Sequence, residues 1–97
     1  MKKALENFMT GIFQDSRIGI SHIALFSVLL YLREENQGRE PFPIKREELM
    51  KSAKISSTAT YFKIIRQLHE YGYIQYFPTF NRMSQSRVKL SVNQFST

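Results

Sequence analysis

KREELMKSAKISSTATYFKIIRQLHEYGYI, residues 45–74, holds two short helical patterns on either side of one tight turn. The first spans about residues 46–52. Glu47 and Glu48 fall in its first turn, where the helix dipole favours negative charge, and Leu49, Met50 and Ala53 supply an apolar side. Lys54-Ile55-Ser56 reads as the turn, with Ile55 as its anchor into the core. Ser56 or Ser57 is placed to cap the second helix, which runs over about residues 57–71. At about 100° per residue, Tyr61, Ile64, Ile65 and Leu68 make one apolar arc, and Ala59, Lys63, Arg66 and Glu70 lie opposite. Gly72 is the C-terminal stop.

Downstream, residues 73–77 are aromatic and β-prone. Residues 87–92 alternate strictly, with Val88, Leu90 and Val92 on one face and Arg87, Lys89 and Ser91 on the other, which predicts a half-buried strand. Residues 78–86 join the two as a polar loop. Upstream, residues 21–35 predict a helix capped by Ser21. Its apolar face (Ile23, Ala24, Phe26, Leu29, Leu30) is widened by Leu25, Val28 and Leu32 almost all round, as in a central core helix. Asn36-Gln37-Gly38 ends it, with Gly38 suited to the left-handed cap position. Pro41 and Pro43 forbid a helix over residues 40–45, and Phe42 and Ile44 alternate around Pro43 as in a short edge strand.

At the start, Leu5, Phe8, Met9, Ile12 and Phe13 repeat at i, i+3, i+4, i+7 and i+8, which predicts a helix over residues 2–14 weakened by Gly11. Asp15-Ser16-Arg17 follows as a connector. Two uses of this helix stand side by side: packing on its own domain, or contact with a second copy of the chain. The helix over residues 21–35 is the other candidate for such a homodimer.

The chain has 97 residues, enough for one domain with a modest core, and 42% are apolar. The absence of cysteine removes disulfides, thiolate zinc sites and thiol nucleophiles together. The residues after Lys2 and Lys3 are amphipathic rather than uniformly apolar, so no signal peptide is expected. The most apolar run, residues 23–32, is interrupted by Ser27 and falls short of the roughly 20 residues a bilayer needs. A cytoplasmic protein without a membrane segment is the expectation. Asp15 is the only aspartate, His22 and His69 stand alone, and no phosphate loop, carboxylate pair or metal-ligand spacing occurs. Neither an enzyme nor a cofactor, metal or small-molecule ligand is expected.

Charge divides the chain. Residues 1–44 hold five basic and five acidic side chains, whereas residues 45–97 hold nine basic and three acidic ones. The whole formal charge of +6 therefore lies on the helix–turn–helix–strand–loop–strand segment, with nothing acidic after Glu70. Such a field is the electrostatic footprint of a nucleic-acid binder.

The order helix, short strand, helix, turn, helix, strand, loop, strand resembles the winged helix-turn-helix family. The likeness rests on residues 46–61 and on Leu68-His69-Glu70-Tyr71-Gly72-Tyr73-Ile74, which is similar to that family's exit from its third helix into the first wing strand. It covers about residues 21–92 and is closest to small bacterial winged-helix transcriptional regulators and mobile-element proteins; similar domains open some replication-initiation proteins. It implies a mainly α chain with a small β-hairpin wing (α+β). The single domain, residues 1–97, would comprise a helical arm (1–19) and a three-helix core with a short first strand (20–97, the wing at about 73–92). Two residues depart from the pattern: Lys54 stands where the turn often carries Gly, and Lys45 where a capping side chain is usual.

The function implied is binding of double-stranded DNA by the helix at about residues 57–71 and the wing loop at about residues 78–86. Ser56, Ser57, Thr58 and Thr60 are the small polar residues that let a helix end approach a groove. Lys63 and Arg66 are long donors one turn apart. Asn81, Arg82, Gln85 and Arg87 are the wing candidates, and Lys45, Arg46 and Lys54 are placed for phosphates. Most of these would position the protein, and a few, such as Thr60, Lys63 or Arg66, would read bases. The plainer reading makes the hydroxyls caps and the cations solvated charge. Phe62 falls outside the centre of the apolar arc, either under the wing or against a base or partner. Tyr61, Tyr71, Tyr73, Tyr76 and Phe77 fit core and wing packing better than a base-stacking platform. A winged helix that docks on a protein and never touches DNA is the competing function.

Overall fold

The computed structural model describes residues 2–79, 81 and 84–90, with side chains described at Glu6 and from Met9 onward. Four helices and three strands follow in the order α1 Lys2–Gln14, α2 Ile20–Glu35, β1 Phe42–Pro43, α3 Arg46–Ala53, α4 Thr58–Glu70, β2 Ile74–Phe77 and β3 Arg87–Leu90. The strands form one antiparallel sheet in the order β1-β3-β2. The fold is α+β. No helix among the described residues is long and apolar enough to cross a membrane.

Three helices stop by the same device. In each, a residue at positive φ turns the chain back so that the following N–H reaches a carbonyl five residues earlier, leaving fewer end carbonyls unpaired. After α4 the residue is Gly72, with the Tyr73 N–H bonded to the Leu68 carbonyl at 3.0 Å. After α3 it is Lys54, with the Ile55 N–H bonded to the Met50 carbonyl at 2.9 Å. After α2 it is Gln37, with the Gly38 N–H on the Arg33 carbonyl at 2.9 Å. The expectation that Gly38 takes the cap position is therefore corrected by one residue: Gly38 also has positive φ, but it follows the cap.

The start of α2 also differs from expectation. The cap is Gly19, not Ser21. His22, at the third helical position, reaches back so that its Nδ1 accepts the Gly19 N–H at 2.9 Å, the reciprocal bond of a capping box, while glycine itself offers no capping side chain. Nε2 then lies 2.8 Å from Gln67 Oε1 on α4, a geometry that fits the tautomer with hydrogen on Nε2. His22 is thus a buried tie between α2 and α4.

The core lies between the helices and one face of the sheet. Leu25, Phe26 and Leu29 of α2, Leu49 of α3, and Tyr61, Ile65 and Leu68 of α4 are buried against Phe42, Ile74, Val88 and Leu90. Each such side chain removed from water stabilises the fold by about 1.5–3 kcal/mol. In the sheet Tyr76 and Phe42 flank Val88, and Ile74 pairs with Leu90. Period-two alternation turns Gln75, Phe77, Arg87 and Lys89 to the outer face. The expected strand over residues 87–92 is seen over 87–90, and residues 91–92 lie outside the described residues.

Ile12 of α1 is fully buried in this same core, and Met9 packs partly against it, whereas Phe13 is exposed. The side chains of Leu5 and Phe8 lie outside the described residues. The connector after α1 is also tied down. Asp15 accepts both the backbone N–H of Arg17 and its guanidinium, at 2.8–2.9 Å, and the Tyr73 hydroxyl at 2.7 Å. The Arg17 guanidinium lies 4.1 Å over the Tyr71 ring. These contacts join the α1–α2 elbow to the corner between α4 and β2.

Candidate nucleic-acid interface

The α3–turn–α4 unit is set by three local features. Lys45 caps α3 without a side-chain hydrogen bond, since an ammonium has no lone pair to offer. Lys54 sits at φ 61°, ψ 40°, and Ile55 beside it is buried. Ser57 Oγ accepts the Thr60 N–H at 3.2 Å, so of the two candidate caps Ser57 is the one used.

These features place the candidate residues in three groups. Ser56, Ser57 and Thr60 line a small hollow of about 180 Å³ together with Lys54 and Ser21 at the head of α2. Thr60 accordingly belongs to the α2 side of α4 rather than to the middle of its outer face. Ala59, Phe62, Lys63 and Arg66 are exposed opposite the buried arc of α4, and Thr58 is exposed at its first turn. Lys63 and Arg66 take part in no ion pair among the described residues. The third group is an open hollow of about 600 Å³ between the start of α3 and the loop joining β2 to β3. Lys45, Arg46 and Glu47 line one wall, and Thr79, Asn81, Ser84 and Gln85 the other. The sequence separates these two walls by more than thirty positions. The sheet brings them together, because β1 leads directly into α3 and pairs with β3, and the Ile44 N–H reaches the Ser86 carbonyl at 2.9 Å.

Two candidates fall elsewhere. Arg87 stands on the outer face of the sheet opposite Phe77 and Pro43, outside the hollow. Arg82 lies outside the described residues. The loop itself is braced by its hydroxyls. Ser86 Oγ accepts the Thr79 N–H and Thr79 Oγ1 accepts the Asn81 N–H, both at 3.2 Å.

The electrostatics are mixed in one spot. Glu47 lies 3.3 Å from Arg46. A hydrogen bond to its own backbone N–H, and then the neighbouring guanidinium, hold its carboxyl below the usual range, so the hollow contains one firm anion among its cations. Glu47 was legible only as a helix-dipole residue, since nothing local foretells its position beside the loop. Phe62, read from the sequence as lying under the wing or against a base or partner, stands beside the hairpin. A smaller hollow of about 130 Å³ joins it to Arg46, Tyr76 and Ser86.

Of the aromatic residues, Tyr61 and Tyr73 are buried, Tyr71 and Tyr76 partly so, and Phe77 is exposed. Burial pushes the Tyr61 hydroxyl well above its ordinary pKa. Among the described residues no group of three or more His, Asp or Glu is placed to hold a metal ion. The chain matches no protein-family model, and neither a curated protein nor a solved structure matches it significantly.

Proposed function

We propose that the chain is a winged helix-turn-helix protein that binds duplex DNA. In this reading α4 lies in the major groove and the loop over residues 78–86 acts as the wing. The observation that carries it is the outer side of α4. There Lys63 and Arg66 stand exposed one turn apart beside the small Ala59, in no ion pair among the described residues. A helix with that face can approach base edges closely and meet phosphates with long donors. Lys45 and Arg46 at the start of α3 would take a flanking phosphate together with Asn81 and Gln85 across the larger hollow. Ser56, Thr58 and Lys54 would follow the backbone at the turn, and the cap bond leaves the Ser57 hydroxyl hydrogen free to donate. A small transcriptional regulator is the role this suits, with an accessory factor of replication or of a mobile element as the alternative. Two copies joined through α1 or α2 would double the readout. Ile12 is already committed to its own core; among the described residues Phe13, Ile20 and Tyr31 are the largely exposed apolar side chains of α1 and α2 open to that contact.

The test is fluorescence anisotropy with a random duplex of about 25 base pairs across a salt series, because displaced counterions are the signature of phosphate contact. Affinity should fall steeply with salt. A Lys63→Ala/Arg66→Ala variant should bind more weakly, its log–log slope shallower by about 0.9 for each phosphate no longer neutralised. Absence of binding at low salt would sink the DNA reading. Exposed Phe13, Ile20 and Tyr31 would then favour a module that docks on another protein.

A further inference from the structure

Phe62 is the one large apolar side chain on the outer side of α4. It is 39% exposed, while Tyr61, Ile64, Ile65 and Leu68 on the same helix are buried. A single exposed phenylalanine is ordinary by itself. This one, however, is held. Its ring meets the Tyr61 ring edge to face, with centroids 5.1 Å apart, and the Arg46 guanidinium carbon lies 6.0 Å from its centroid. Tyr76 and Ser86 of the hairpin border the same small hollow. One side of the ring therefore meets Tyr61 and borders the small hollow that Glu47, Tyr76 and Ser86 also line, and the ring stays exposed on the side of α4 that carries Ala59, Lys63 and Arg66. Arg66 follows Phe62 by one helical turn.

An exposed apolar ring on the same helix side as Lys63 and Arg66, which take part in no ion pair among the described residues, fits a ligand that is anionic around a small apolar group; Glu47, paired with Arg46 at 3.3 Å, borders the ring's inner side. In duplex DNA the phosphates supply the charge, and the major-groove edge offers one apolar group, the 5-methyl of thymine. We infer that Phe62 is a specificity-determining residue that packs on a thymine methyl in the bound duplex, while Lys63, Arg66 and Arg46 hold the surrounding backbone and base edges. This rests on the DNA-binding reading and adds to it a preference for the thymine methyl.

The experiment begins with selection of a preferred duplex from a random pool by the unaltered protein. That duplex is then remade with deoxyuridine replacing each thymine in turn, which removes one methyl at a time and leaves the pairing edge intact. At one thymine or more, loss of the methyl should weaken binding about fourfold, as expected for one buried methyl group. Phe62→Ala should bind the two duplexes equally at that position, and Phe62→Leu should retain part of the preference. Thermal unfolding of both variants confirms that each remains folded. A preference that persists unchanged in Phe62→Ala, or no position sensitive to the methyl in a duplex that still binds with salt dependence, overturns the role of Phe62 and leaves DNA binding standing. Failure to enrich any duplex, with no salt-dependent binding, overturns both.

Discussion

Lys54 is subject to two opposed demands. Its backbone is left-handed, at φ 61°, where a side chain costs on the order of 1 kcal/mol relative to glycine. The residue also lines the hollow shared with Ser56 and Ser57, on the proposed DNA side. Lys54→Gly should therefore raise the stability measured by urea titration by about 1 kcal/mol and at the same time weaken duplex binding. Gln37→Gly, at the equivalent position after α2, should give the same gain with unchanged binding. Equal binding by the two variants would remove Lys54 from the interface. A second residue-scale contrast concerns pH. The Arg17 guanidinium, and then the Tyr73 hydroxyl, hold the Asp15 carboxyl well below the usual carboxylate range. The stability this gives is present above the ordinary carboxylate pKa of about 4 and is lost as pH falls below it. Burial, and then the bond to Asp15, push the Tyr73 hydroxyl up to about 12. Its contribution is complete below the ordinary tyrosine value near 10 and is lost as pH rises from there through about 12. In melting curves taken across pH, Asp15→Asn should flatten the acid limb and Tyr73→Phe the alkaline one.

At the scale of elements, α1 shows why periodicity and use are different questions. The repeat of apolar residues was sufficient to place a helix, and the structure has it over Lys2–Gln14 as expected. The repeat was silent on what the helix packs against, because an apolar face is equally satisfied by its own core or by another chain. The answer at Ile12 is its own core. Ile12→Ala should cost about 2–5 kcal/mol in denaturant unfolding, the range for a buried aliphatic reduced to alanine. Phe13→Ala should change monomer stability by less than about 0.5 kcal/mol, as an exposed site does. A negligible effect of Ile12→Ala would show that α1 does not contribute to the domain's stability.

Across the whole molecule, a buried carboxylate joins segments that are remote in sequence. Arg33 Nε, near the end of α2, lies 3.2 Å from Glu40 Oε2, and both side chains are about nine-tenths buried. The Nε–H is not aligned to make a hydrogen bond. The same Glu40 oxygen accepts the Leu90 N–H of β3 at 2.7 Å. The carboxylate thus ties the exit of α2 to the far end of the sheet. Glu40→Gln keeps an acceptor for Leu90 but leaves a buried guanidinium uncompensated, which should cost roughly 3–5 kcal/mol. Adding Arg33→Met should recover part of that loss, and a double-mutant cycle measures the coupling. A loss in the double variant equal to the sum of the two single losses would show that the pair is not coupled.

What the sequence by itself determined is the run and buried face of each element, which depend on neighbours within a turn or two, though not the exact caps of α2. The 3.6-residue spacing of Tyr61, Ile64, Ile65 and Leu68 placed α4, the strict alternation after Ser86 placed β3, and the two prolines confined β1 to the edge. The positive charge of residues 45–97 was countable before any fold was known. Tertiary structure alone decided what depends on residues far apart in the chain. The His22 ring came to tie α2 to α4 through Gln67, forty-five positions away. Lys45 and Arg46 came to face Asn81 and Gln85 because β1 pairs with β3. Arg87, read together with those loop residues in the sequence, stands on the exposed face of the sheet and does not line their hollow. Hydrophobic spacing fixes which face of an element is buried, but long-range pairing fixes which exposed faces meet, and a binding surface is made of the second.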